Sequence, residues 1–192
     1  MARSMKKSKK DKFTIEDFGF GIAPVINATI RLGKKEDKEN LFNALIGVDE
    51  LIPHRGKAVS YPSKARLIGA NLQKKQKEEK SRIAEMVKEE LEEEGLQENT
   101  VIIYIDREKK IDKSLRGLTC NQLLDFYERP ILLGSIDENG FVRGSARGYG
   151  EMDFKYICES TGLFEYTKGH DNSFGFSIKE DNIKSFINYI NK

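Results

Sequence analysis

Two arginines and a serine alternate along Phe141-Val142-Arg143-Gly144-Ser145-Ala146-Arg147-Gly148. At a period of two, Arg143, Ser145 and Arg147 share one face of a strand, and Val142, Gly144 and Ala146 share the other. A guanidinium is a planar fork that matches an oxyanion, a hydroxyl between two forks adds a donor, and glycine lets an anion come near the backbone. The pattern can therefore form an anion cradle. On spacing alone the plainer reading, an exposed strand face with two solvated arginines, is favoured. A second stretch, Gly169 to Ile178, carries His170 between Gly169 and Asp171. Its imidazole and the nearby amides could meet an anion. Taken alone, His170 reads as a structural histidine; beside the Arg-x-Ser-x-Arg strand it gains weight. His54, the other histidine, reads as a surface residue. The sequence has no His-x-x-x-His, paired cysteines, Walker loop, dinucleotide-binding glycine motif or Gly-x-Ser-x-Gly. It holds parts that suit a phosphate and no engine for hydrolysis.

The elements around these residues are readable in outline. Asp137-Glu138-Asn139-Gly140 suits a tight turn, so Pro130–Gly134 and Phe141–Arg147 predict a hairpin. Val101–Ile105 predicts a strand before it, and Leu118–Glu128 a helix with Leu123, Leu124 and Phe126. Asp153–Thr161 predicts a short helix, Phe164–Tyr166 a strand, and Asp181–Lys192 a closing amphipathic helix. Strand, helix, strand and hairpin together argue an α/β unit with a mixed sheet. Upstream, Asn71–Glu94 is the longest helical pattern, with Ile83, Val87 and Leu91 at four-residue intervals and Gly95 to end it. It reads as a strut between two halves. Residues 47–69, with Pro53, Gly56 and Pro62, read as a long irregular loop, and Glu36–Ile46 as a helix. Glycines before Pro24 argue against a continuous helix there. After Pro24, Asn27 and Arg31 fall four apart, on one face if the segment is helical.

Composition narrows the partners. The 192 residues carry a net charge of only +2, so any binding to nucleic acid must come from local patches. Cys120 and Cys158 have no partner motif and read as buried thiols in a reducing compartment. No signal segment or bilayer-length apolar run is present, so the sequence predicts a cytoplasmic protein with no membrane partner. Residues 1–12 form a basic tail, with Lys6, Lys7, Lys9, Lys10 and Lys12, which reads as disordered.

Gly144-Ser145-Ala146-Arg147, followed by Gly169-His170 and Gly175, resembles the substrate-binding domain of the DHH (Asp-His-His) phosphoesterases. Ile22-Ala23-Pro24-Val25-Ile26-Asn27-Ala28, with Arg31 and Gly33, resembles the segment that closes the catalytic domain in the RecJ branch. Leu115–Leu123, with Gly117-Leu118 and Asn121-Gln122-Leu123, is similar to the helix after the first strand of the substrate-binding domain. Four motifs in order cover most of residues 18–178. The resemblance implies the C-terminal portion of a single-strand-specific 5′ to 3′ exonuclease. It implies a basic tail over 1–12, a helical remnant of the catalytic domain over 13–69, a connecting helix over 70–97, and a mixed-sheet α/β DHH-associated nucleic-acid-binding domain over 98–192. Ser145, Arg147, Gly169, His170 and Gly144 would face phosphates of single-stranded DNA, with Asn27 and Arg31 contributing from the other side of a cleft. Mn²⁺ or Mg²⁺ would sit in a missing N-terminal domain, with none bound by this chain and no catalytic residue within it. A separate DHH catalytic domain is the implied protein partner; by itself the chain is expected to be inactive. The chain departs from the family in having Lys168-Gly169-His170 for Gly-Gly-His, Ser173 for alanine, and Thr29-Ile30 for an Ala-Gly pair. Two alternatives stay open: a DHH-family phosphodiesterase for short oligonucleotides or cyclic dinucleotides, and a free-standing nucleic-acid-binding module.

Overall fold

The structure, a computed structural model, describes residues 14–191. The basic tail therefore lies outside the described residues. The chain divides into two compact units between Glu79 and Lys80. The division falls inside a continuous helix.

The first unit opens with a short helix α1 (Ile15–Asp17), capped by Thr14 and Asp17 in a reciprocal box, and one π-helical stretch (Phe18–Ile22). Helix α2 (Ala23–Leu32) follows, then α3 (Lys35–Leu45). The glycine-rich segment before Pro24 is thus helical after all, but as a π-turn. Pro24 sits in the first turn of α2, where its missing N–H is not needed. Asn27, Ile30 and Arg31 lie exposed on one side of α2, while Ala28 and Thr29 are buried.

Residues 47–69 are not an irregular loop. Strands β1 (Leu51–His54) and β2 (Lys57–Ser60) pair antiparallel across Arg55-Gly56. Both turn residues have positive φ, 49° and 76°, the twist a two-residue hairpin demands. Helix α4 then runs Tyr61–Glu93, ten residues earlier at its start than the apolar period suggested. Pro62, which argued for a loop, stands in its first turn. Within the first unit Lys64 reaches Glu36 at 3.0 Å, and Ala65 is buried.

The second unit is a five-stranded mixed sheet. The strands are β3 (Ile102–Ile105), β4 (Ile131–Ile136), β5 (Phe141–Arg147), β6 (Phe164–His170) and β7 (Ser173–Lys179), in the order β3-β4-β5-β7-β6. β3 and β4 are parallel, joined through helix α5 (Arg116–Tyr127); every other pair is antiparallel. This is the strand-helix-strand-hairpin unit that the sequence predicts.

The two sheet faces are covered differently. On one face, Val142 and Ala146 join Leu132, Phe174, Phe176 and Ile178 under Phe154 and Cys158 of helix α6 (Phe154–Ser160) and Phe186 of helix α7 (Glu180–Ile190). The rings of Phe164 and Phe186 meet edge to face at 5.0 Å. Burying each such side chain contributes roughly 1.5–3 kcal/mol. On the other face α5 lies over β4 and β5, burying Thr119, Cys120 and Leu123. The end of α4 packs there too. Ile83, Ala84, Val87 and Leu91 are buried, and the Tyr104 hydroxyl donates to Glu90 at 2.6 Å. Burial and that carboxylate push the Tyr104 phenol well above its ordinary range. Among the described residues no helix is long and apolar enough to cross a membrane.

Candidate functional site

Register decides which side chains meet. Antiparallel pairing sets Arg147 opposite Ser173 and Ser173 opposite His170. It sets Ser145 opposite Gly175 and Gly175 opposite Lys168. Directly paired residues share a face. So Ser145, Arg147, Ser173, Gly175, Lys168 and His170 lie together, on the face that α5 covers only as far as β5. The result is a trough. Its floor is the small residues of β7, its walls are β5 and β6, and it is about 9.6 Å wide, two strand spacings. A Cβ added at Gly175 would meet nothing closer than 3.6 Å, so the floor is open.

Arg147 is held from two sides. Its Nε–H donates to Asn121 Oδ1 at 2.6 Å, and Nη1 donates to the Ala146 carbonyl at 2.7 Å. Asn121 stands on α5, so the helix orients the fork. Gly117, one turn earlier, leaves room for it, since a Cβ there would lie 2.8 Å from Arg147 Nη2 and 3.7 Å from Ser145 Oγ. Among the described residues Arg147 has no carboxylate within 4 Å, and neither the Ser145 hydroxyl nor the His170 imidazole has a hydrogen-bond partner. Arg143, on the same strand face, is different. It pairs with Asp137 at 3.3 Å and lies 3.8 Å from Glu165. One arginine of the predicted pair is neutralised and the other is not.

The β4–β5 turn explains Asp137. Its Oδ1 accepts the Asn139 and Phe141 amides at 2.9 and 3.1 Å. Those amides, the Phe141 one first, and the Arg143 charge hold its carboxyl below the usual range. Between α5 and β5 Cys120 is fully buried, and its thiol donates to the Ser145 carbonyl at 3.4 Å. Burial pushes that thiol up to about 12, against the pull of nearby Arg147.

His170 ends β6, exposed, before a two-residue turn of Asp171 and Asn172. That turn is tied down: Asn172 Oδ1 accepts the Phe154 amide at 3.2 Å, and Asp171 O accepts the Lys155 amide at 2.9 Å. Gly169 adopts φ 141°, and a Cβ there would lie 2.6 Å from Ser173 O. This glycine is needed for the hairpin rather than by an anion. Gly144 faces away from the trough, opposite Gly134 and Phe176. A Cβ on it would fall onto the Leu133 carbonyl, so it serves the close approach of β4. Asn27 and Arg31 share the exposed side of α2, in the first unit. Sequence reasoning met Gly117 and Asn121 as motif positions and Lys168 and Ser173 as departures, Lys168 as an added charge near the phosphate, but counted none of the four among the substrate-binding residues. A two-residue hairpin over Asp171-Asn172 was the signal for Ser173, because it forces the pair His170–Ser173. Nothing local to Gly117 or Asn121 points across to Arg147.

Among the described residues no three His, Cys, Asp or Glu side chains gather to hold a metal ion. The described residues do not fit Mn²⁺ or Mg²⁺.

No protein-family model matches the chain. It is 38% identical over 190 residues to a prophage-derived protein of Bacillus subtilis (strain 168) provisionally named single-strand DNA-specific exonuclease YorK, covering 92% of this chain and 32% of that protein. It is 22% identical to the single-stranded-DNA-specific exonuclease RecJ of the same organism, covering 92% of this chain and 21% of RecJ. Among solved structures, RecJ from Thermus thermophilus in complex with Mn²⁺ superposes with a TM-score of 0.61 at 18% identity, over 91% of this chain and 24% of that one. The fold is thus that of a part of RecJ. Over nearly its whole length the chain is related to the RecJ-type single-strand-DNA-specific exonucleases, and it spans about a third of the length of the first of these relatives and about a fifth of the second.

Proposed function

We propose that this chain is the phosphate-holding portion of a RecJ-like 5′ to 3′ single-strand exonuclease of the DHH family, acting on single-stranded DNA in the cytoplasm. One observation carries the reading. Arg147, Ser145 and His170 line one trough with donors free to bind, while the neighbouring Arg143 is neutralised by Asp137 and Glu165. A trough two strands wide suits one sugar-phosphate chain, and Arg147 offers Nη2 on a fork already oriented by Asn121. Residues 98–192 then serve as the DHH-associated domain, 70–97 as the connecting helix, and 13–69 as the end of a catalytic domain. Ile15, Phe20, Phe42, Leu45, Ile46 and Leu51 of that segment are exposed, as the edge of a larger domain would leave them. Asn27 and Arg31 are assigned to the substrate from their exposed side of α2. Catalytic metals, Mn²⁺ or Mg²⁺, belong on this reading to a DHH catalytic domain outside the chain.

The test is binding of a 5′-labelled single strand and of its duplex, read by fluorescence anisotropy. The single strand is expected to bind better. Arg147→Ala removes a charge-assisted hydrogen bond worth about 1.5–3 kcal/mol and is expected to weaken binding roughly ten- to a hundredfold. Arg143→Ala removes a screened, already paired charge and is expected to cost about threefold or less. Equal losses for the two, with unchanged melting, would mean a diffuse basic surface. Tighter binding of a dinucleotide or cyclic dinucleotide than of a long strand would favour a short-substrate phosphodiesterase.

A further inference from the structure

We propose that the trough holds two successive phosphates, and that Lys168 is the cation of the second. The inference rests on the phosphate-binding reading above and adds a subsite to it. Two rows of side chains cross the trough. In one, Arg147 and His170 face each other over Ser173; in the other, Ser145 and Lys168 face each other over Gly175. The rows are two residues apart along the strands, about 6.8 Å. That is near the step between neighbouring phosphates on an extended single strand.

Each row has what an anion needs. The first has the Arg147 fork and an imidazole. The second has the Ser145 hydroxyl on one wall, Lys168 on the other, and an open glycine floor between them. Lys168 is exposed, and among the described residues its Nζ has no carboxylate within 4 Å. The contact it does make is with the Tyr166 ring, whose centroid is 5.1 Å from Nζ. A lysine is a mobile point charge on a long stem, so it can leave the ring for a phosphate. The third row closes the trough. There Ser177 is buried and donates to Glu165 at 2.8 Å, and Glu165 lies 3.8 Å from Arg143. A carboxylate at that place repels a third phosphate.

The experiment measures the salt dependence of binding to an oligothymidylate for the full chain and for Arg147→Ala, Lys168→Ala, Lys168→Arg and Lys184→Ala. Each phosphate neutralised on a single strand contributes roughly −0.7 to the log-log slope. Lys168→Ala is expected to bind three- to tenfold more weakly, with a slope shallower by about 0.7. Lys168→Arg should keep the slope, and Lys184→Ala, on α7 beyond the opposite face, should match the unchanged chain. Melting curves check that Lys168→Ala folds. If Arg147→Ala weakens binding but Lys168→Ala behaves like Lys184→Ala, there is no second subsite and the phosphate-binding reading stands. If Arg147→Ala leaves binding unchanged, that reading fails and the subsite with it. A loss of affinity at Lys168→Ala with an unaltered slope also overturns the subsite, because the lysine then acts other than by neutralising a phosphate.

Discussion

Arg147 and Arg143 lie four residues apart on one strand face, and their partners make them chemically unlike. Arg143 spends its charge on Asp137 and Glu165, whereas Arg147 is fixed by neutral acceptors and keeps its charge. Arg147→Lys is therefore expected to fall between the native chain and Arg147→Ala: it keeps the charge and loses the fork that Asn121 orients. Titrating the three proteins with one labelled oligonucleotide checks the order. Asp137 makes a second residue-scale prediction. Its carboxyl is lower in the folded chain than in the unfolded one, so its contribution to stability is fully present above the ordinary carboxylate pKa of about 4. The contribution is lost as the pH falls through the folded value. Melting temperatures between neutral pH and pH 3 should drop less steeply for Asp137→Asn than for the native chain. Cys120 has the opposite sign. Its thiol is raised by burial, so that contribution is present below the unfolded value and lost as the pH rises toward about 12. At neutral pH a thiol reagent should modify Cys120 and Cys158 only at the rate of unfolding.

At the scale of elements, α5 is the part that shapes the candidate site on the strand face. It covers β4 and β5, stops short of β7, and brings Gly117 and Asn121 against Arg147. Two glycine substitutions separate the roles of the elements. In Gly117→Ala the new Cβ meets the end of a flexible side chain, 2.8 Å from Arg147 Nη2, while a helix gains a better helix former. The melting temperature should hold or rise slightly, and single-strand binding should weaken several-fold as the guanidinium shifts. In Gly144→Ala the Cβ meets backbone, the Leu133 carbonyl, which cannot yield without parting β4 from β5. That variant should lose about 1–3 kcal/mol of stability or more. Chemical denaturation of the two variants, side by side with binding, tests the contrast. The outlines of β3 and β4 were legible in the sequence as short apolar runs, β5 by its alternation after a turn, and α7 by its amphipathic period; α5 has no such period and was read from Leu123, Leu124 and Phe126 between two strands. The hairpin of β1 and β2 was hidden by Pro53 and by Arg55, a non-glycine residue at positive φ. The early start of α4 was hidden by Pro62, which is a breaker inside a helix and a starter in its first turn.

On the proposed function, the expectation for the whole molecule is binding without cleavage. No group of metal-ligating side chains is present among the described residues, and the chain spans about a third of the length of the YorK relative. Incubated with 5′-labelled single-stranded DNA and Mn²⁺, the purified chain should release no labelled mononucleotide. Trimming that survives repurification and is lost in Arg147→Ala would overturn the assignment of the catalytic metals to a domain outside this chain. With a net charge of only +2, affinity should come from the trough rather than from a general field, and duplex binding should vanish first as salt is raised.

Local pattern alone was enough for the α/β unit, for the alternation that puts Arg143, Ser145 and Arg147 on one face, and for the resemblance that the relatives bear out. Those are local properties, set by a period of two or of 3.6 and by turns a few residues long. Which of those residues keep their charge unpaired depends on long-range packing. Arg143 is neutralised by Glu165, twenty-two residues away in sequence, Arg147 is oriented by Asn121 from a helix on another connection, and Lys168 joins Ser145 only because β7 runs between β5 and β6. Strand order and register are long-range choices, made by burying one sheet face under α6 and α7, and no spacing along the chain records them.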